Sequence, residues 1–392
     1  MKIAYITSDF GAVSETFITD LALGLAQAGH QVTVFCNQAV VSDVPSITIE
    51  QTNFLILNST ADRLGYRVDQ WLGEPGQTRI YARHLAQAQR QLYPMLSDYG
   101  PQVAYIDYGS VAALARQTLC ELNIPFVVHF HGADITSAVN HPAYRTELQA
   151  VFRDATTLIV ASHHIRRLLI LEGAPPEKVH VVRYGLNLEG LTPLSWSERR
   201  TEPPAIVFLG RFTPKKNPVA LVQAFALVKQ QVPQARFSMI GDGSEMARVR
   251  QRIERLKLGQ TVKLYGTLPR DQALPIVNRH WVYAQHSITA PNGDQEGFGI
   301  SLTEAAALAL PVVSTLHNGI PEQVIDGQTG FLVREFDFEC MAERMIALLQ
   351  RPELAEQVGQ AGRKNVLKLC QQEQRIKDIE QALNTCCAHL QV

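Results

Sequence analysis

The chain has 392 residues and a formal net charge of −1; 46% of its residues are hydrophobic and 19% charged. That length suits two domains, each with a core of its own, and the composition excludes a disordered or fibrous chain. No global field draws nucleic acid, and no uninterrupted apolar run approaches the roughly 20 residues that span a bilayer.

Six cysteines are scattered: Cys36, Cys120, Cys340, Cys370, Cys386 and Cys387, with no C-x-x-C spacing. The opening MKIAYITSDFG carries one Lys and a short β-like run, without the longer apolar core of a secretory signal. The expectation is a cytoplasmic protein in a reducing compartment, with no structural metal.

In chain order, short apolar runs predict strands at 3–7, 32–36, 103–107, 126–131, 158–162 and 179–184. Helical patterns lie between several of them, at 16–28, 80–96 and 111–122. In the first, Phe17, Leu21, Leu25 and Ala28 share a face, Gly29 ends the run, and Ser14 or Thr16 suits the cap. The Pro-, Ser- and charge-rich stretch 188–204 reads as a linker. Alternation then restarts, with strands at 206–209, 237–240, 262–265, 282–285, 311–315 and 330–333, and helices at 218–230, 245–256 and 301–310. Residues 371–392 are helical in pattern, with the first domain as a surface to pack on.

Such alternation predicts an α/β chain of two doubly wound, Rossmann-like domains facing a deep cleft. The domains are expected at 1–187 and 205–370, joined by 188–204 and followed by the tail 371–392. In open parallel sheets, ligands bind beyond the carboxyl ends of the strands. The chemistry-bearing residues stand there.

Gly11 follows the first strand and precedes the first helix, where bare backbone permits close approach to a ligand. Any strand-to-helix turn can carry such a Gly. His129 and His131, in HFHGAD, sit at the end of a buried-type strand. A His-x-His pair also suits zinc, but no third ligand stands at recognisable spacing. Arg211 and Lys216, in GRFTPKKNP, follow the strand 206–209. Two cations there suit a diphosphate leaving group, and a surface turn carries the same residues.

Glu296 and Glu304 are eight residues apart in PNGDQEGFGISLTE, a span of about 12 Å at 1.5 Å of helical rise per residue. Between them Gly297, Phe298 and Gly299 offer free backbone N–H groups at a helix start, which favours an anion. A nucleotide sugar has the matching order of sugar, diphosphate and ribose. The competing reading is a solvated acidic loop running into an ordinary amphipathic helix.

Rival motifs are incomplete. Gly241-Asp242-Gly243 opens like a dinucleotide fingerprint, but Met246 stands where the third Gly belongs. The chain has no Walker A sequence, no G-x-S-x-G and no D-x-D; Asp294-Gln295-Glu296 is the nearest acidic pair with metal-like spacing.

Taken as an ordered set, these segments resemble the family-four (group 1) glycosyltransferases of GT-B fold, over nearly the whole length. The specific segments are GRFTPKKN, IGDGSE and EGFGISLTEAAALALPVVSTLHNGIPEQVIDGQTGFLV, with SDFGAVSETFI, HFHGAD and GLN in the first half. The family's E-x7-E motif falls on Glu296 and Glu304. The resemblance implies a retaining, metal-independent hexosyltransferase without a cofactor, using a UDP-sugar or GDP-sugar donor. Arg211 and Lys216 would hold the diphosphate. Glu304 would bond the ribose. Glu296, with the backbone of Gly297, Phe298 and Gly299, would hold the transferred sugar, which His131 would also contact. Gly11 would let the first loop close over the diphosphate, and the base would lie near Gly241, Gly266 and Leu268. Many members carry a double Gly in the first loop, whereas this chain has Phe10-Gly11-Ala12.

The SETFI loop and the NGDQEG variant resemble members that build exopolysaccharide or other surface glycans, whose acceptors are glycans or lipid-linked glycans. Arg63, Arg67, Arg79, Arg83 and Arg90, with Tyr66, Trp71, Tyr81 and Tyr93, offer a surface for anionic lipid or glycan. Peripheral contact with the inner face of the plasma membrane is therefore an expectation; a partly solvated helical pair is its competitor. A GT-B epimerase and a non-catalytic sugar-binding protein are the alternative functions.

Overall fold

The computed structural model describes residues 1–41, 43–55, 74–187 and 192–388. Arg63, Tyr66, Arg67 and Trp71 of the proposed membrane surface lie outside the described residues, as do 188–191 of the expected linker. The chain divides into two compact units, one of Met1–Arg183 with Glu373–Val392 and one of Tyr184–Gln372.

The first unit is built on seven strands: β1 (Lys2–Phe10), β2 (Gln31–Ala39), β3 (Ile47–Gln51), β4 (Val103–Asp107), β5 (Phe126–Phe130), β6 (Thr157–Val160) and β7 (Val179–Val181). They form one parallel sheet in the order β3-β2-β1-β4-β5-β6-β7. Parallel strands with both faces covered read as continuous apolar runs, and β4 and β5 are buried at every position. The edge strand β3 is half polar and largely exposed, which is why no apolar run announced it.

The helix Thr16–Gln27 buries Phe17, Leu21 and Leu25, but neither Ser14 nor Thr16 caps it. Glu15 holds the N-cap position without a capping bond, its carboxylate turned instead to accept from Tyr108 Oη at 2.8 Å. The helix Gln372–Ala388 belongs to this unit through most of its length. Arg375 is buried and donates from Nη1 to the Phe17 carbonyl at 3.0 Å, while Glu380 meets His30 at 2.8 Å.

The second unit has six strands: β8 (Ala205–Leu209), β9 (Arg236–Ile240), β10 (Val262–Leu264), β11 (Val282–Ala284), β12 (Val312–Thr315) and β13 (Gly330–Val333). They run parallel in the order β10-β9-β8-β11-β12-β13. Chain order reverses between β1 and β4 in one sheet and between β8 and β11 in the other. Loops at such switch points part to opposite faces and leave a crevice beyond the strand ends.

The linker stretch is not bare connection. Ser195 forms a capping box with Glu198 at the helix Trp196–Arg199, and Trp196 stacks edge-on with Trp281, their centroids 5.6 Å apart. Arg199 is buried; it donates to the carbonyls of Leu308 and Ala309. Arg363 donates to that of Ala307. These bonds occupy carbonyls left over at the helix end, so the helix expected over 301–310 stops as Ile300–Ala307.

Candidate active site

Lys216 and Glu296 are 80 residues apart in sequence and meet across the switch point of the second unit. Lys216 ends a 3-10 turn, Pro214–Lys216, after β8; Glu296 lies in the loop after β11. Its Nζ donates to Glu296 Oε2 at 2.7 Å and to Gln285 Oε1 at 3.3 Å. Gln285 stands one residue beyond β11 and donates from Nε2 to the same glutamate oxygen at 3.3 Å. Ser301 donates to Gln285 Oε1 at 3.2 Å, and Tyr283 donates to Ser301 Oγ at 2.8 Å. The result is a buried polar chain running from the strand into the helix that follows.

Burial alone would raise the Glu296 carboxyl, but the ammonium groups of Lys216 and Lys215 bring it down to about 2. It is an anion in the folded protein. Burial pushes the Tyr283 phenol far up, so that it acts as a neutral donor. Lys215 fastens the loop from the other side, donating to Asp294 Oδ1 at 3.0 Å and to the Gln295 carbonyl at 3.2 Å. Asp294, the first acid of the metal-like pair, is thus engaged by a lysine.

Gly297, Phe298 and Gly299 are buried at the start of Ile300–Ala307. Gly299 has φ of 91°, and a Cβ there would stand 2.8 Å from Leu302 Cδ1. The left-handed φ favours glycine where the chain turns into the helix. Gln323 donates from Nε2 to the carbonyls of Phe298 and Gly299 and accepts from Thr303 Oγ1 at 2.7 Å. With those carbonyls turned inward, the helix's N-terminal N–H groups are left as its anion-attracting end.

Glu304, one helical turn or so further on, is buried and accepts from Arg270 Nε at 2.7 Å. Arg270 also donates to the Asn187 carbonyl at 2.8 Å. Arg211 is exposed on the loop after β8 and is not part of the Lys216–Glu296 pair. Gly241 follows β9, with its N–H donating to the Gly266 carbonyl at 2.7 Å. A Cβ on Gly241 would lie 2.0 Å from the Gly210 carbonyl oxygen, so the ends of β8 and β9 approach as bare backbone. Leu268 is half-buried two residues beyond Gly266.

In the first unit, β5 ends at Phe130, and His131 opens the turn after it. Asp134 shapes that turn by accepting from the N–H groups of Gly109, His131 and Gly132 at 2.9, 3.1 and 2.8 Å. His131 Nε2 lies 2.7 Å from Asp107 Oδ1, and Tyr5 Oη donates to the other oxygen of Asp107. His129 Nδ1 lies 2.7 Å from Tyr105 Oη. Asp107 thus supplies a third potential ligand beside the two histidines, a juxtaposition that sequence spacing does not reveal; their ligand atoms fall within 4.8 Å. Two ligands of a tetrahedral zinc stand about 3.4 Å apart. The closer 2.7 Å approach is that of a hydrogen-bonded His–Asp dyad. Gly11 follows β1 with φ of 83°, and a Cβ there would stand 2.4 Å from Val41 Cγ2.

Two family models match the chain: "Glycosyl transferase 4-like domain" over residues 14–185 and "Glycosyl transferases group 1" over residues 195–365. The chain belongs to the group 1 glycosyltransferases. It is 27% identical to the amylovoran biosynthesis glycosyltransferase AmsK of Erwinia amylovora, over 89% of this chain and 91% of that one. It is 32% identical to the putative colanic acid biosynthesis glycosyltransferase WcaL of Escherichia coli K12, over 67% and 65%. Among solved structures, Anabaena HepE in complex with UDP and glucose superposes with a TM-score of 0.77 at 18% identity, covering 98% of this chain and 99% of that one. Sucrose-phosphate synthase from Thermosynechococcus elongatus gives 0.81 at 18%, covering 99% and 100%. The fold is therefore that of the two-domain GT-B enzymes.

Several residues of this candidate site escaped sequence reasoning. Gln285 and His317 carry the best available signal, since each lies just beyond a strand at its carboxyl end. Lys215 stands beside Lys216 in GRFTPKKNP with no separate signal of its own. Nothing local marks Arg270 or Gln323, which reach the site through side chains from other elements. No helix among the described residues is long and apolar enough to cross a membrane.

Proposed function

We propose that this glycosyltransferase transfers a hexose from a UDP-sugar or GDP-sugar to an acceptor hydroxyl with retention of anomeric configuration. The observation that carries the reading is the largely buried Lys216–Glu296 pair, 2.7 Å apart, beside the glycine-flanked helix start at Ile300. A carboxylate kept ionised in a buried site accepts from sugar hydroxyls, and an adjoining ammonium stabilises phosphate charge. In this reading Glu296 and the backbone of Gly297, Phe298 and Gly299 hold the sugar. Arg211 and Lys216 hold the diphosphate, with Gly11 admitting its approach. Glu304 binds the ribose, exchanging its bond to Arg270. Gly241, Gly266 and Leu268 border the base, and His131 is assigned to the transferred sugar. The likeness to a structure holding UDP and glucose supports a nucleotide-sugar donor.

The reaction breaks the bond between C1 and the phosphate oxygen and forms a bond from C1 to the acceptor oxygen on the same face. The acceptor proton passes to the departing phosphate, and the cations and the helix end carry the charge left there. The acceptor is read as a glycan or lipid-linked glycan of exopolysaccharide synthesis, in keeping with the names of AmsK and WcaL. Arg79, Arg90 and Tyr93 are exposed on the helix Glu74–Tyr99 and support contact with anionic headgroups; nucleic acid is not a partner in this reading.

A thermal-shift screen against UDP-, GDP- and ADP-sugars tests the donor class, because a ligand that binds the folded state raises its stability by mass action. The expected outcome is stabilisation by one base family. Stabilisation by none of them overturns the donor assignment. The anomeric proton of the product, read by NMR, tests retention; an inverted linkage overturns it. Sugar-nucleotide product formed without acceptor would point to an epimerase.

A further inference from the structure

We propose that His317 and Glu335 are positioning residues for Glu296, a His–Glu pair that staples both ends of the loop carrying it. This rests on the reading of Glu296 as the sugar-holding carboxylate.

The loop 288–296 leaves β11 and delivers Glu296 to the helix start. At one end, Thr289 N–H donates to Glu335 Oε2 at 3.0 Å. At the other, Glu296 N–H donates to His317 Nε2 at 3.1 Å. The two acceptors are bonded to each other, His317 Nδ1 lying 2.6 Å from Glu335 Oε1. A backbone amide can only donate, so His317 Nε2 is the acceptor and the ring proton sits on Nδ1, donated to Glu335. The side chain that selects the tautomer is thus the one that holds the far end of the loop.

Register explains why the pair forms. Thr315 of β12 stands opposite Val333 of β13, and His317 and Glu335 each follow two residues later. Two parallel strands therefore carry both groups side by side to the same edge. The backbone there is held against its preference: Phe336 has φ of 67°, a left-handed conformation that a bulky residue adopts only under constraint. Its N–H donates to His286 Nε2 at 2.9 Å, which pins the turn. Asn318 adds a third tie, donating to Gln295 Oε1 at 2.9 Å.

Glu296 is consequently gripped from two sides. Lys216 orients its carboxylate, and His317 fixes its backbone. A carboxylate displaced by about 1 Å loses on the order of 100-fold in rate, because hydroxyl contacts depend on placement. His317 is fully buried, so its polar edge faces the loop and not water.

The test is a double-mutant cycle. H317L, H317Q and E335A are made alone and in the E296A background. Donor hydrolysis is assayed with UDP-glucose, UDP-galactose, GDP-mannose and GDP-fucose, together with amide hydrogen exchange of the segment 287–299. H317L is expected to lower kcat/KM at least tenfold and to speed exchange in that segment. H317Q, whose amide oxygen replaces the acceptor Nε2, is expected to recover most of both. In E296A, H317L is expected to add less than a twofold loss. Should Leu at 317 prevent folding, E335A at its more accessible position reads the same coupling. Additive losses, no rescue by Gln, or unchanged exchange overturn the proposal. E296A with wild-type turnover overturns the sugar-binding reading instead, and the exchange data still report on the staple.

Discussion

Glu296 is largely shielded from water and nonetheless charged, because Lys216 and Lys215 hold its carboxyl down to about 2, well below the ordinary 4.5. A depressed carboxyl contributes stability that is complete above pH 4.5 and is lost as pH falls through about 2. Wild type is expected to lose a few kcal/mol over that window that Glu296→Gln does not, as read by urea unfolding at stepped pH. His280 and His286 act in the next window. Burial lowers both to about 4, so unfolding takes up their protons between 6.5 and 4 and stability rises with pH there. Lys216→Ala and Glu296→Ala are each expected to cut transfer by 100-fold or more while leaving the far-ultraviolet circular dichroism of the wild type. Near-normal turnover in both removes the site assignment. At this scale, Lys216 and Glu296 were visible in the sequence as residues beyond strand ends. Their partners Gln285 and His317 were not, because amide and imidazole side chains announce a role only when something faces them.

The helix Ile300–Ala307 shows what an element owes to its neighbours. Its residues Leu302–Ala307 are all buried, Thr303 and Glu304 among them, and nothing in that short run says where the helix stops. The stop is made by Arg199 and Arg363, donating to its last carbonyls from stretches more than 50 residues away in either direction. Burial lowers the Arg199 guanidinium to about 10, which leaves it charged at neutral pH. Arg199→Ala is expected to cost about 3 kcal/mol, because the buried carbonyls of Leu308 and Ala309 and the half-buried one of Asn278 lose their donor together. Chemical denaturation measures the loss, and a change below about 0.5 kcal/mol would show that water replaces the guanidinium. The stretch around Arg199 read as a linker because Pro, Ser and charge dominate it. Composition does not distinguish a solvated charge from one folded over a helix end.

For the whole molecule, alternation of apolar runs and amphipathic stretches sufficed to indicate two parallel sheets, and both sheets are parallel. What alternation leaves open is strand order, and strand order makes the site: β8 and β11 are adjacent, so the loops bearing Lys216 and Glu296 meet. The tail helix makes a further point about topology. Removing 372–392 strips Arg375, Ile379, Leu383 and Cys386 from the first unit, where all four are buried. The truncated chain is expected to bind the hydrophobic dye ANS and to unfold at lower urea than wild type. An unchanged midpoint would show that the helix is dispensable. Donor at 100 times its Kd is expected to add about 2.7 kcal/mol of stability.

By itself the sequence determined the alternating class of the fold and the kind of chemistry, since periodicity and residue type are local properties. It named the acid at 296 and the ammonium at 216 as chemistry-bearing groups. Only the tertiary structure decided that they touch, that Asp107 stands behind His131, and that His317 and Glu335 close on the loop between them. Those contacts follow from strand order and register, which are set by packing across the whole sheet and leave no mark in any short stretch of residues.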